Sequence, residues 1–218
     1  MSVKENLLQI QEDIVPYKPN IIAVTKYFDE SAIVEAYKAG LRDFAESRVI
    51  EAIDKINKLS DEIRSNSKFH FIGHLQTNKV KKVVANFDVI HSVDSIKLAE
   101  TISEEAQKIG KVQDILIEVN FANEEQKFGI SKEEIFDFFE KAKKLPNINV
   151  KGLMSMAPLG AEEKELDALY ADVANTKQEL EKMYNCELPE LSMGMSQDYQ
   201  VAARHGATML RIGRKLFK

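Results

Sequence analysis

Short apolar runs alternate along the chain with longer stretches whose apolar residues recur every three or four positions, which is the pattern of strands feeding helices. The short runs predict eight strands, over residues 20–26, 43–45, 69–72, 89–92, 115–119, 150–154, 190–192 and 209–212. The periodic stretches predict helices over 30–39, 47–63, 77–85, 96–108, 132–144, 161–183 and 197–204, with a further N-terminal helix over 3–14. Runs such as Ile21-Ile22-Ala23-Val24 and Ile115-Leu116-Ile117 are continuous, not alternating, as expected of strands covered on both faces. Eight such strands with helical crossovers are most economically closed into a single (β/α)8 barrel of the TIM type spanning residues 1–218, although a doubly wound open sheet gives much the same one-dimensional pattern. The extra N-terminal helix has Leu7, Leu8, Ile10 and Ile14 to bury and could plug one end of a barrel.

Composition narrows the function more than the fold. With 218 residues and 44% hydrophobic content the chain can build a sizeable core without disulfides or metal, and its one cysteine, Cys186, fits a reducing compartment. A net charge of −5, with both signs intermixed along the helices, gives no basic stripe for nucleic acid. The N-terminal stretch is interrupted by Lys4, Glu5, Glu12 and Asp13, and nowhere do eighteen apolar residues run together, so neither a secretory signal nor a spanning helix is expected. A soluble cytoplasmic protein, with no membrane or nucleic-acid partner, is the expectation.

In barrels of this type the chemistry sits at the C-terminal ends of the strands. There the sequence places Lys26, Glu46 with Ser47, Gly73 with His74, Asp94, Asn120, Ser155 with Met156, the run Ser192-Met193-Gly194-Met195-Ser196, and Arg211 with Gly213. An amine leaving a rigid strand is well aimed, and one that is desolvated or set beside another cation becomes a nucleophile toward an aldehyde. By position alone, a strand-closing lysine is more often a solvated charge. The glycine turns at Gly194 and Gly213 fall after the seventh and eighth strands, the usual phosphate site of the fold, although each alone reads more simply as a plain turn. Arg211 could bind phosphate, donate to a ring nitrogen, or form a surface salt bridge. His74, Gln76 and Asn78 make a polar cluster after the third strand. His70, His91 and His205 do not combine with His74 into a metal-ligand set, and His70 and His91 read as packing residues. Met154, Met156, Met193 and Met195 read as soft fillers near the mouth.

Five ordered segments carry a resemblance: Ala23-Val24-Thr25-Lys26, Phe71-Ile72-Gly73-His74-Leu75-Gln76-Thr77-Asn78-Lys79, Gly152-Leu153-Met154-Ser155-Met156, Leu191-Ser192-Met193-Gly194-Met195-Ser196, and Gly206-Ala207-Thr208-Met209-Leu210-Arg211-Ile212-Gly213. Over almost its whole length the chain resembles the pyridoxal phosphate homeostasis protein family, related to the barrel domain of bacterial alanine racemase. The resemblance implies that pyridoxal 5′-phosphate (PLP) forms a Schiff base with Lys26, that Ser196 and the backbone around Gly213 bind its phosphate, and that Arg211 faces the pyridine nitrogen. Further cofactor contacts are implied at Ser47, His74, Asn78, Met156, Ser192, Met193 and Arg214. It implies a non-enzymatic, cytosolic monomer that buffers PLP or delivers it, with PLP-dependent apoenzymes or regulatory proteins as possible partners.

The chain departs from the family at Ala45-Glu46-Ser47, where Gly-Glu-Asn is frequent, and at Arg214, where a threonine is common. Two alternatives share the lysine. An amino-acid racemase needs a second acid–base group on the opposite face of its substrate, which in racemases of this barrel type comes from an additional domain not expected here. A lysine-dependent aldolase acting on phosphorylated sugars would use the Schiff base and the phosphate turns without a bound chromophore.

Overall fold

A computed structural model of the protein describes residues 2–121 and 128–218. Eight parallel strands follow one another around a closed barrel: β1 (Asn20–Val24), β2 (Asp43–Glu46), β3 (Lys68–Phe71), β4 (Val89–Val93), β5 (Gln113–Glu118), β6 (Ile148–Met154), β7 (Glu190–Met195) and β8 (Met209–Ile212). Closure rests on β8 pairing with β1, Asn20 opposite Met209 and Ala23 opposite Ile212. That pairing closes the ring of described strands and excludes the open-sheet alternative.

The helices are α1 (Val3–Asp13), α2 (Glu30–Lys38), α3 (Val49–Asn57), α4 (Asp61–Ser65), α5 (Val80–Asn86), α6 (Ile96–Lys108), α7 (Ile135–Ala142), α8 (Glu163–Tyr184), α9 (Tyr199–Arg204) and α10 (Arg214–Phe217). The single helix expected over 47–63 is two, because the Ser60 side chain caps a new helix by accepting from the Ile63 amide, and Leu59 turns inward between them. The helix expected from residue 77 opens as a 3-10 turn, Thr77–Lys79, before α5.

α1 does not cross a barrel end. Val3 donates its amide to Glu35 of α2, Asn6 donates to the Leu216 carbonyl of α10, and the Tyr199 hydroxyl of α9 bonds Asp13. The helix after β8, α10, is only four residues long, and α1 fills the outer layer between α9 and α2 in its stead.

The two faces of the barrel wall differ sharply in composition. Outward residues such as Phe44, Phe71, Ile90, Ile115, Ile117 and Leu210 join one large apolar cluster with the helices. The inward apolar set is small: Ile22, Ala45, Val89, Leu116, Met154 and Met209. Registers place His70 beside Ala45 and Val89, Ser192 beside Met154 and Met209, and Arg211 beside Ile22, so polar groups share the interior with these six.

Candidate functional site

A cavity of about 650 Å³ opens at the C-terminal ends of β1, β6, β7 and β8. Of the residues singled out from sequence, Lys26, Met156, Ser196, Arg211, Gly213 and Arg214 line it, joined by Tyr27, Phe28, Leu159, Asp198 and Lys218. Among the described lining residues, four cations therefore face one acid. That acid is already engaged, since the Asp198 carboxylate accepts from the Tyr170 hydroxyl at 2.6 Å and from the Met195 amide at 2.5 Å. The cavity is electropositive and suits an anion.

β1 ends at Val24, two residues earlier than expected, and Lys26 stands in the turn beyond it. The turn is nonetheless fixed. The Thr25 amide donates to Ala45 O at 3.1 Å, its hydroxyl donates to Glu46 Oε1 at 2.7 Å, and its carbonyl accepts from the Phe28 amide at 2.9 Å and from Lys55 Nζ at 2.8 Å. Lys55 also meets Glu46 Oε1 at 2.5 Å, with both side chains buried. The residue before Lys26 is thus clamped on every polar atom. Neither Glu46 nor Lys55 was assigned this role from sequence, yet the signal for Lys55 was present: it falls on the buried stripe of α3 with Ala52 and Ile56.

Arg211 is 4% exposed, which removes the surface salt bridge as its role. Its Nη1 donates to Ser192 Oγ at 2.6 Å and its Nη2 to the Ser155 carbonyl at 2.9 Å. Burial lowers its affinity for its proton, opposed by the charges of Tyr170, Asp198 and Glu118. Glu118 is itself buried. Desolvation, with the Asp94 charge second, pushes its carboxyl up to about 7 against the pull of Arg211.

Gly194, at φ +88°, lets β7 end directly over α9: a side chain there would bring Cβ within 2.5 Å of Ala202 Cβ and 2.9 Å of Leu210 Cδ2. Beyond it, Ser196 Oγ accepts from the Lys215 amide at 3.2 Å, tying the loop after β7 to the segment after β8.

The other expected residues lie elsewhere. Ser192 points into the barrel but ends on Arg211 and His91, and Met193, its neighbour, faces the helices and is fully buried there. Ser47 and His74 line a separate depression of about 280 Å³ with Arg48, Glu51, Gln76 and Lys79. The His74 ring stacks on Phe128 with centroids 3.9 Å apart, and Asn78 is exposed on the 3-10 turn.

A closed parallel barrel with a lysine just past its first strand and a cation-lined mouth defines the class, and residues 1–218 match the alanine racemase N-terminal domain family throughout. Within that class, the chain belongs to the pyridoxal phosphate homeostasis protein family. A pyridoxal phosphate homeostasis protein of Aquifex aeolicus is 40% identical over 197 residues, covering 90% of this chain and 85% of the relative. PipY of Synechococcus elongatus, solved without PLP, superposes with a TM-score of 0.93 at 37% identity, covering 99% of this chain and 100% of that one. The same protein solved with PLP bound gives 0.91 at 36% identity, again covering 99% and 100%.

Proposed function

We propose that the protein binds PLP in the cavity at the strand ends and serves PLP homeostasis by holding the cofactor and releasing it to apoenzymes. The observation that carries this reading is the pairing, across one cavity, of the clamped Lys26 turn with an electropositive wall built from Arg211, Arg214 and Lys218. The residues fit the group. Ser196 and the backbone at Gly213, with Arg214 and Lys218 near, would hold a phosphate; Arg211, braced from behind, would donate to the ring nitrogen; and Lys26 would meet the aldehyde. PLP, when bound, supplies an electrophilic aldehyde carbon. Lys26 Nζ would be the amine held to meet that carbon, condensing with loss of one water and no change in oxidation state. An arginine at the ring nitrogen, where a carboxylate would favour protonation, weakens the cofactor as an electron sink, which suits storage better than turnover. Tyr27, the tyrosine among the described lining residues, has its ring centroid 5.2 Å from Lys26 Nζ, beside the amine and not opposed to it as racemisation needs. The exposed positions of Tyr27 and Leu159 at the rim leave the mouth open for exchange.

Incubating the protein with PLP should give a visible absorption band, and borohydride should then fix the label on the peptide containing Lys26. Lys26→Ala should lose the band and the label completely while keeping the native circular dichroism. A labelled Lys26→Ala protein would overturn the assignment, and sustained loss of optical rotation from an amino acid would make the protein a racemase instead.

A further inference from the structure

The barrel interior contains a continuous file of polar side chains that ends on Arg211 and whose other members the cofactor reading leaves unused. From the Asp43 end of β2 it runs to Arg211 at the mouth: Asp43 Oδ1 to His70 Nε2 at 2.9 Å, His70 Nδ1 to His91 Nε2 at 2.9 Å, His91 Nδ1 to Ser192 Oγ at 2.9 Å, and Ser192 Oγ to Arg211 Nη1 at 2.6 Å. His70, His91 and Ser192 are buried.

Hydrogen-bond arithmetic fixes the direction of every link. Arg211 is donor only, so Ser192 Oγ accepts from it. If His91 Nδ1 also donated to Ser192, the buried hydroxyl would receive two hydrogens and its own would have no acceptor among these partners. The hydroxyl therefore donates to His91 Nδ1, which puts the His91 proton on Nε2, facing His70 Nδ1. The His70 proton then sits on its own Nε2, against the Asp43 carboxylate. The result is a one-way file of donors from guanidinium to carboxylate through two neutral rings. Burial, with the charge of Arg211 adding to it, lowers His91 well below the ordinary imidazole range, in keeping with a neutral ring. The Asp43 carboxylate, in turn, stays ionised: its burial is outweighed by the His70 and Asn20 contacts, which hold it below the usual range.

We propose that His91, His70 and Asp43 are positioning residues: by drawing the Ser192 hydrogen away from Arg211, they hold the guanidinium from behind and keep its remaining donors turned to the ring nitrogen of the bound cofactor. This rests on the PLP reading above, but its first test does not. Two-bond proton–nitrogen NMR of the ligand-free protein should find both His70 and His91 with the proton on Nε2. A proton on Nδ1 of His91, or a charged His91 ring at neutral pH, would overturn the file whatever the cavity binds.

The second test compares PLP with its analogue in which the ring nitrogen is replaced by carbon. Wild type should prefer PLP by about tenfold, the worth of one hydrogen bond to a charged group. His91→Phe and Ser192→Ala should lose that preference while binding the analogue as wild type does, and His91→Asn, which keeps an acceptor near Nδ1, should retain it. Ser192→Ala is a small change that keeps the fold available should His91→Phe not fold. Equal weakening toward both compounds would mean general damage and would sink the positioning role. Failure of wild type to bind PLP, with the expected tautomers present, would instead condemn the cavity reading.

Discussion

Lys55 and Arg211 are both buried cations near the strand ends, yet Lys55 meets a carboxylate, Glu46 Oε1 at 2.5 Å, whereas Arg211 meets two neutral acceptors, Ser192 Oγ and the Ser155 carbonyl. Among the described residues the acids nearest in effect to Arg211, Asp198 and Glu118, act on it by charge without an ion pair. In the first arrangement the charge is matched: two of the three ammonium hydrogens are bonded, one of them to a carboxylate. In the second, a guanidinium carries five N–H groups and, among the described residues, two are engaged, both with neutral acceptors. A charge that is desolvated and left unmatched at a cavity wall is costly unless something arrives to meet it. One cation braces the fold; the other is held ready for a ligand.

The sharpest way to break the comparison is Glu46→Ala. It strands Lys55 without its counter-ion in a dry site and should cost about 3–5 kcal/mol in urea unfolding. The Thr25 clamp should loosen with it.

Glu118→Gln tests the long-range partner of Arg211. Its carboxyl titrates near 4.5 when unfolded and about 7 when folded. The folded state therefore holds the proton more tightly, and stability falls as pH rises from about 4.5 to about 7. Gln removes that fall, so the variant should match wild type near pH 4 and exceed it at pH 8 by on the order of 3 kcal/mol. A variant no more stable at pH 8 would mean that Glu118 is ionised at little cost.

Arg211→Met should change stability by only about 1–2 kcal/mol, because it removes an unmatched charge as well as two hydrogen bonds. Its effect on PLP binding should exceed its effect on folding, the reverse of Glu46→Ala. The smallest effect is expected of Thr25→Val, which deletes the hydroxyl bonded to Glu46: about 1 kcal/mol of stability. Slower borohydride labelling of Lys26 in that variant would show the clamp reaching the amine.

Most strands and helices were legible because each announces itself locally, through apolar runs for β1 and β5 and a three-to-four spacing for α6 and α8. Closure was not, since it depends on Asn20 meeting Met209 across the length of the chain. The side of the wall a residue occupies was equally hidden. Ser192 and Met193 are adjacent and were grouped together, yet period-2 geometry sends one into the barrel and the other into the helical layer. Six of the eleven expected contact residues line one cavity because they lie at or just beyond the ends of β1, β6, β7 and β8, which are neighbours in the closed ring. Ser47 and His74 follow β2 and β3 and fall in a separate depression. The pairing of His70 with His91 escaped notice because nothing in a spacing of 21 residues says that two strands are adjacent and face inward.

One early contact has a consequence for how the molecule is made. The carboxamide of Asn6 bonds a carbonyl 210 residues downstream, and the flank where α1 rests is walled by α9 and α10. The first helix and the segment it packs against are thus separated by nearly the whole sequence, and Leu7 and Ile10 gain their full cover only when that long loop closes. A contact of such sequence separation slows folding more than it weakens the folded state.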